Sequence, residues 1–194
     1  MSVLLLAGSP SERSRSAALL DAVSARLRAA GATVERLQIR DLSPQALLLA
    51  DTGNRSVSAA MAQVARASAL VVATPVYKAA YSGVLKVFLD LLPQSALKDK
   101  TVLPLATGGS PHHMLALDYA LRPVLQSLSA RHILPGIYAT DAQVTLTPEG
   151  AYDLVPEIGL RLDEAVTALL QERQRMRPLA AFAPVAFASV RCSY

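Results

Sequence analysis

Ala69-Leu70-Val71-Val72-Ala73-Thr74-Pro75-Val76-Tyr77, continued by Ser82-Gly83-Val84-Leu85-Lys86-Val87-Phe88-Leu89-Asp90-Leu91-Leu92, is the stretch that decides the fold. Its first five residues form an apolar run of strand length with no polar alternation, the pattern of a strand buried on both faces. Pro75 lacks a backbone donor and has a fixed φ, so the strand is expected to end at Thr74. There the chain should leave the sheet with neighbouring amides and carbonyls turned toward a ligand. After Ser82-Gly83 the apolar spacing becomes that of an amphipathic helix, from about Val84 to Leu92.

The same alternation extends in both directions. Upstream, Val3 to Ala7 reads as a buried strand, Gly8 to Ser16 as a polar loop, and the next helix carries Leu19, Leu20, Val23 and Leu27 on one face with Gly31 past its end. Val34, Leu37 and Ile39 suggest a second strand, and Ser43-Pro44 opens a variable connection to a helix near Val57 to Ala67. Downstream, Thr101 to Thr107 is the fourth strand, although Pro104 is unusual in a central strand. Met114 to Ala130 reads as a helix interrupted by Pro123, Ile133 to Tyr138 as the fifth strand, and Pro156 to Gln174 as a last helix. Residues 1–177 make one domain, and residues 178–194 form an Ala/Pro/Val-rich tail without periodicity.

Five short apolar strands alternating with helices imply an α/β fold, a parallel sheet covered on both faces by right-handed crossovers. The expected solution is a doubly wound five-stranded sheet of order 2-1-3-4-5, whose ligand crevice lies beyond the carboxyl ends of strands 1 and 3. The loops that matter are then 8–16, 74–83 and 107–113.

Composition narrows the function. At 194 residues, 52% apolar, with mean hydropathy +0.33, the chain can bury a full core. The net charge of +4 is carried by scattered Lys and Arg, with no basic stripe or motif for nucleic acid. Cys192 is the single cysteine, so no disulfide framework or cysteine metal cluster is expected. Met1 to Ala7 is too short for a signal peptide, and no apolar run approaches the ~20 residues of a membrane span. A soluble cytoplasmic protein is expected.

The first loop places Ser9, Ser14, Arg15 and Ser16 just ahead of a helix N-terminus, where unpaired amides and the positive dipole end favour an anion. It matches neither a Walker loop nor Gly-x-Gly-x-x-Gly, so a terminal phosphomonoester suits it better than a dinucleotide. An ordinary serine N-cap is the alternative. The second loop can present backbone groups and Tyr77 to a flat ring, and Thr107-Gly108-Gly109 allow close backbone approach. Phosphate, linker and planar ring in sequence describe FMN.

On these residues the chain resembles the flavodoxin-like, NAD(P)H-dependent FMN reductases. The likeness lies in Leu6 to Pro10 with Ser14 to Ser16, in Ala73 to Tyr77 with Ser82 to Lys86 and Asp90, and in Ala106 to Gly109. Across Ala73 to Pro93 and Val102 to Leu125 it is similar to the reductase component of two-component alkanesulfonate monooxygenases. The resemblance implies FMN and NADPH as ligands, with phosphate on Ser9, Ser14, Arg15 and Ser16. It sets Pro75, Val76 and Tyr77 along the isoalloxazine and Thr107, Gly108 and Gly109 at its pyrimidine side. It also marks Tyr119 as similar to a tyrosine inserted in a helix of such reductases. There the insertion makes a π-bulge at a homotetramer interface and accompanies flavin that is released as product. Periodicity alone would make Tyr119 a half-buried helix residue. Glu12 among the arginines is why Arg13 is left out of the expected site.

The two rings carry out hydride transfer themselves, so no catalytic acid, base or nucleophile is expected. His112 and His113 are adjacent and lack metal-ligand spacing, so no metal is expected; they would flank the third loop near the nucleotide's way in. The expected function is NADPH-dependent FMN reduction supplying an FMNH2-dependent monooxygenase that cleaves sulfonates. A quinone or azo-compound reductase with tightly bound FMN, or a flavodoxin-type electron carrier, is the alternative.

Overall fold

The computed structural model describes residues 2–175; the expected tail and Cys192 lie outside the described residues. The chain runs β1 (Ser2–Ala7), α1 (Arg15–Ala29), β2 (Thr33–Gln38), α2 (Pro44–Leu48), α3 (Arg55–Arg66), β3 (Ala69–Tyr77), β4 (Ala80–Tyr81) and α4 (Gly83–Asp90). It continues as β5 (Thr101–Gly108), α5 (Arg122–Ser127), β6 (His132–Ile133), β7 (Ile137–Thr140), β8 (Val144–Leu146), β9 (Tyr152–Leu154) and α6 (Pro156–Arg175). The parallel sheet is ordered β2-β1-β3-β5, with β6 and β7 both beside β5 as two halves of the fifth strand. This is the doubly wound order expected from the sequence.

Strand residues of alternate parity point to opposite faces, and each face has its own core. Leu4, Leu6, Leu70, Val72 and Val102 pack with Val57 and Val64 of α3, Phe88 and Leu89 of α4 and Leu125 of α5. Val3, Leu5, Val71, Leu103 and Leu105 pack on the other face with Leu19, Leu20, Val23 and Leu27 of α1 and with Ile158, Leu162 and Leu169 of α6. The four α1 residues are fully buried. Each such side chain contributes about 1.5–3 kcal/mol, so this stripe holds α1 more firmly than helix propensity does.

Pro75 departs from expectation, whereas Pro104 lies in the strand expected over Thr101 to Thr107. β3 does not end at Thr74, because Pro75 stays in register opposite Thr107. The Ala73 carbonyl accepts from Gly8 N on the β1 side, so Pro75, two residues on, points the same way but beyond the end of β1 at Ala7. Its missing donor faces no waiting acceptor. The strand then turns at Lys78 and Ala79, both at positive φ (50° and 63°), and returns antiparallel as β4. The expected loop is thus a tight hairpin whose paired positive φ values suit a two-residue turn.

Pro104 sits in a central strand for a related reason. The Val102 carbonyl accepts from Leu134 N at 2.9 Å, so Pro104 faces the same edge. There the fifth strand is broken between β6 and β7, at Leu134-Pro135-Gly136. The fifth strand expected over Ile133 to Tyr138 is therefore two short pieces. Gly136 belongs to the break, since a Cβ there would stand 2.8 Å from Leu117 Cδ1.

The helix expected over Met114 to Ala130 is three pieces. A 3-10 turn covers Pro111–Leu115, a π-helical turn covers Ala116–Leu121, and α5 follows. Pro123 does not interrupt anything; it lies in the first turn of α5, where a missing donor is tolerated. The antiparallel pair β8 and β9, which the sequence reading passed over, follows the fifth strand.

Candidate functional site

The site begins where β1 stops. Gly8 N donates to the Ala73 carbonyl at 2.8 Å. A Cβ on Gly8 would lie 3.0 Å from Leu85 Cβ, so the chain leaves the sheet through a gap that only glycine fits. Ser82 holds this exit in place: its hydroxyl donates to the Gly8 carbonyl and accepts from Leu85 N, while its own amide donates to Thr74 Oγ1 at 2.9 Å. The start of α4 is thereby tied to the ends of β1 and β3.

Ser9 Oγ then accepts from Ser11 N at 3.1 Å and turns the loop back on itself. Ser14 caps α1, accepting from Ala17 N at 3.1 Å, and its hydroxyl lies 3.2 Å from that of Ser16. Among the described residues the amides of Arg15 and Ser16 find no acceptor. Ser14 is therefore the N-cap that the plainer reading foresaw, and two amide donors remain beside it. Those two functions are compatible, since a capped helix start still has spare N–H groups.

A cleft of about 250 Å³ opens over this loop. Ser14 and Arg15 line it from the first loop, Pro75, Val76 and Tyr77 from the end of β3, and Thr107, Gly108 and Gly109 from the end of β5. Ser9 and Ser16 are not on its wall; they are buried next to it, at 4% and 1% exposure. The Thr107 side chain is buried, and its hydroxyl has no partner among the described residues. A buried hydroxyl left over in this way is costly unless a ligand completes it. The capped start of α1, with Ser14 and Arg15 on one part of the wall, and Thr107 on another suit a ligand with an anionic end and a polar ring edge. The donor set thus fits FMN.

The third loop is anchored from below. Tyr138 donates its hydroxyl hydrogen to the Ser110 carbonyl at 2.6 Å. Burial pushes its phenol pKa up, and the nearby Asp141 charge pushes it further the same way. Because the folded value lies above the unfolded one, the stabilisation is complete below the ordinary value of 10.0 and is lost as pH rises through the folded value. Denaturant melts of the parent should show this alkaline loss of stability, and Tyr138→Phe should show less of it.

The chain matches, over residues 1–145, the family described as NADPH-dependent FMN reductase. It belongs to that family. An FMN reductase (NADPH) of Escherichia coli strain K12 is 44% identical over 90% of this chain and 91% of its own. An FMN reductase (NADPH) of Pseudomonas putida is 46% identical over 93% and 92%. A solved NADH:FMN oxidoreductase, in its apo form, superposes with a TM-score of 0.80 at 39% identity, covering 88% of this chain and 89% of that one. The chain is accordingly an oxidoreductase whose ligands are FMN and a reduced nicotinamide nucleotide.

The reductase brings residues to the cleft that sequence reasoning missed. Arg13 lines it, with no ion-pair partner among the described residues, while Glu12 is drawn 3.9 Å from Arg40 on the other side. Ser11, Asp141 and Tyr152 line it too. Asp141 had a usable signal: it follows the fifth strand, and the rule that nominated the other strand ends applies there as well. A larger hollow of about 710 Å³ lies over the outer face of α1 and shares Arg13, Ser14 and Tyr152. Its Arg36 is paired with Asp21, and the three loop ends meet in the smaller cleft. We therefore place the site in the smaller one.

Tyr119 does not line the cleft. It lies on the π turn, 78% exposed, with Met114 and Leu115 exposed nearby in sequence. His112 and His113 fall in the 3-10 turn after the third loop. Among the described residues no three His, Cys, Asp or Glu side chains are grouped to hold a metal. No helix there is long and apolar enough to cross a membrane.

Proposed function

We propose that the reductase transfers hydride from NADPH to FMN and releases the reduced flavin to an FMNH2-dependent monooxygenase of alkanesulfonate assimilation, in the cytoplasm. The observation that carries the first half is one cleft lined by Ser14 and Arg15 at the start of α1 and by Thr107, whose buried hydroxyl has no partner among the described residues. When both ligands are bound, the nicotinamide and isoalloxazine rings supply the redox chemistry themselves. The chain's task is to bind, orient and exclude water. Ser14 and Arg15 with the adjacent amides hold the phosphate, and Ser9 and Ser16, buried behind them, shape the loop that does so; Pro75, Val76 and Tyr77 border the ring; Thr107, Gly108 and Gly109 meet its polar edge.

Release is supported by how little covers the cleft: Tyr77, beside the expected ring position, is 49% exposed. A homotetramer, with Tyr119 at a subunit interface beside the flavin, fits the exposed Met114, Leu115 and Tyr119 next to the π turn and the packing of that turn on β4. The sulfonate role is supported by the sequence resemblance across Ala73 to Pro93 and Val102 to Leu125.

The deciding measurement follows NADPH oxidation by the flavin-stripped protein with added FMN, FAD or riboflavin. Turnover that depends on added FMN is expected, as is loss of flavin on gel filtration. A yellow protein that keeps its FMN and turns over quinones instead would replace the release reading with that of a bound-flavin reductase. Tyr119→Ala should retain FMN through gel filtration where the parent loses it. Unchanged retention and turnover would leave Tyr119 a packing residue.

A further inference from the structure

The cleft proposed to hold the FMN phosphate is rich in donors, yet Asp141 alone among its described lining residues carries a carboxylate. Its position is fixed. Asp141 follows β7, and its amide donates to the Gly108 carbonyl at 3.2 Å, which holds it against the end of β5. Its Oδ1 lies 3.5 Å from Arg15 Nε, while that same Nε donates to the Val144 carbonyl at 2.9 Å. Arg15 is thus already shared between a carboxylate and a carbonyl before any ligand arrives.

We propose that Asp141 weakens the hold on the flavin phosphate by competing with it for Arg15, and so sets how readily the flavin leaves. The inference rests on the phosphate reading given above. Two effects act in the same direction. The carboxylate takes part of the guanidinium's charge, and it also repels a dianionic phosphate across a short, partly desolvated distance. A purely structural duty explains the pair poorly. The Arg15 and Asp141 side chains are 36% and 47% exposed, and ion pairs this accessible contribute little to stability. The bond from Arg15 to Val144 would still tie α1 to β8 without Asp141. An enzyme that must give up its product gains from such a competitor, because the carboxylate lowers affinity without removing any phosphate donor.

The test is titration of flavin-free protein with FMN and, in parallel, with riboflavin, which lacks the phosphate, read by flavin fluorescence. Asp141→Asn should bind FMN about tenfold tighter than the parent, with riboflavin affinity unchanged. The gain should shrink as salt is raised, because screening weakens the repulsion that was removed. Asp141→Glu should keep the parent's weaker binding, and Asp141→Ser should tighten FMN as Asn does if the Asn protein proves unstable in thermal melts. FMN affinity unchanged in both Asn and Ser variants overturns the proposal, as does equal tightening of riboflavin. A parent that binds FMN no better than riboflavin overturns the phosphate reading itself and the proposal with it.

Discussion

Replacing Arg15 by alanine is expected to weaken FMN binding by about 10- to 100-fold while leaving riboflavin almost unaffected. A hydrogen bond to a charged group is worth about 1.5–3 kcal/mol net, which corresponds to that range of affinity. Arg15 opens α1 directly after the Ser14 cap, and its own amide is one of the two left without an acceptor among the described residues, so in the proposed phosphate site its guanidinium would reinforce an anion preference of the helix start. The measurement is KM for FMN and for riboflavin, with kcat at saturating flavin staying near the parent's value. Arg15→Lys should fall between the two, since a point charge replaces a planar fork. Arg15 also holds the Val144 carbonyl, so displacement of β8 is the competing explanation. That displacement would raise KM for both flavins by the same factor, and such a result would remove Arg15 from phosphate recognition.

The parts of this fold that were legible in the sequence are those decided by a single segment's own pattern. Leu19, Leu20, Val23 and Leu27 announce α1 because their spacing is helical wherever the helix is put, and all four are buried. The run from Ala69 to Ala73 announces a doubly covered strand in the same way. The prolines were harder, because a missing donor matters only if a neighbour's carbonyl is opposite it. For Pro75 that depends on where β1 ends, and for Pro104 on where the fifth strand breaks. Neither fact is local to the proline.

The candidate site divides along the same line. Ser14, Arg15 and the ends of β3 and β5 follow from topology, because open α/β sheets gather ligands at such strand ends. Arg13 was set aside because Glu12 adjoins it in sequence, yet Glu12 turns to Arg40 and the two charges do not meet. Asp141 belongs to the cleft through the hydrogen bond of its amide to Gly108, a contact between residues far apart in the chain. The π turn around Tyr119 was foreseen through resemblance and not through periodicity, since one added residue shifts an apolar pattern too little to be read alone.

Gly108 tests whether the third loop is held by the packing beneath it. Its φ is unremarkable, so what excludes a side chain is space: a Cβ would stand 2.6 Å from Tyr138 Oη and 3.3 Å from Val76 Cβ. The Tyr138 ring is buried and its hydroxyl is committed to Ser110, so it cannot swing aside without breaking that bond. Gly108→Ala should therefore cost about 2–3 kcal/mol, an overpacking penalty that lowers Tm by roughly 4–12 °C in a chain of this size. The cause is separable by a second substitution. In a Tyr138→Phe background the hydroxyl is gone and the nearest ring atom is 3.5 Å from the new methyl group, an ordinary contact. Only the 3.3 Å approach to Val76 Cβ then remains, so the alanine should cost less than about 1 kcal/mol there. Thermal melts of the four proteins give the coupling directly. Strict additivity would mean that the methyl group is accommodated elsewhere and that Tyr138 does not set the height of the Gly108 floor, whereas strong coupling assigns that floor to one buried hydroxyl.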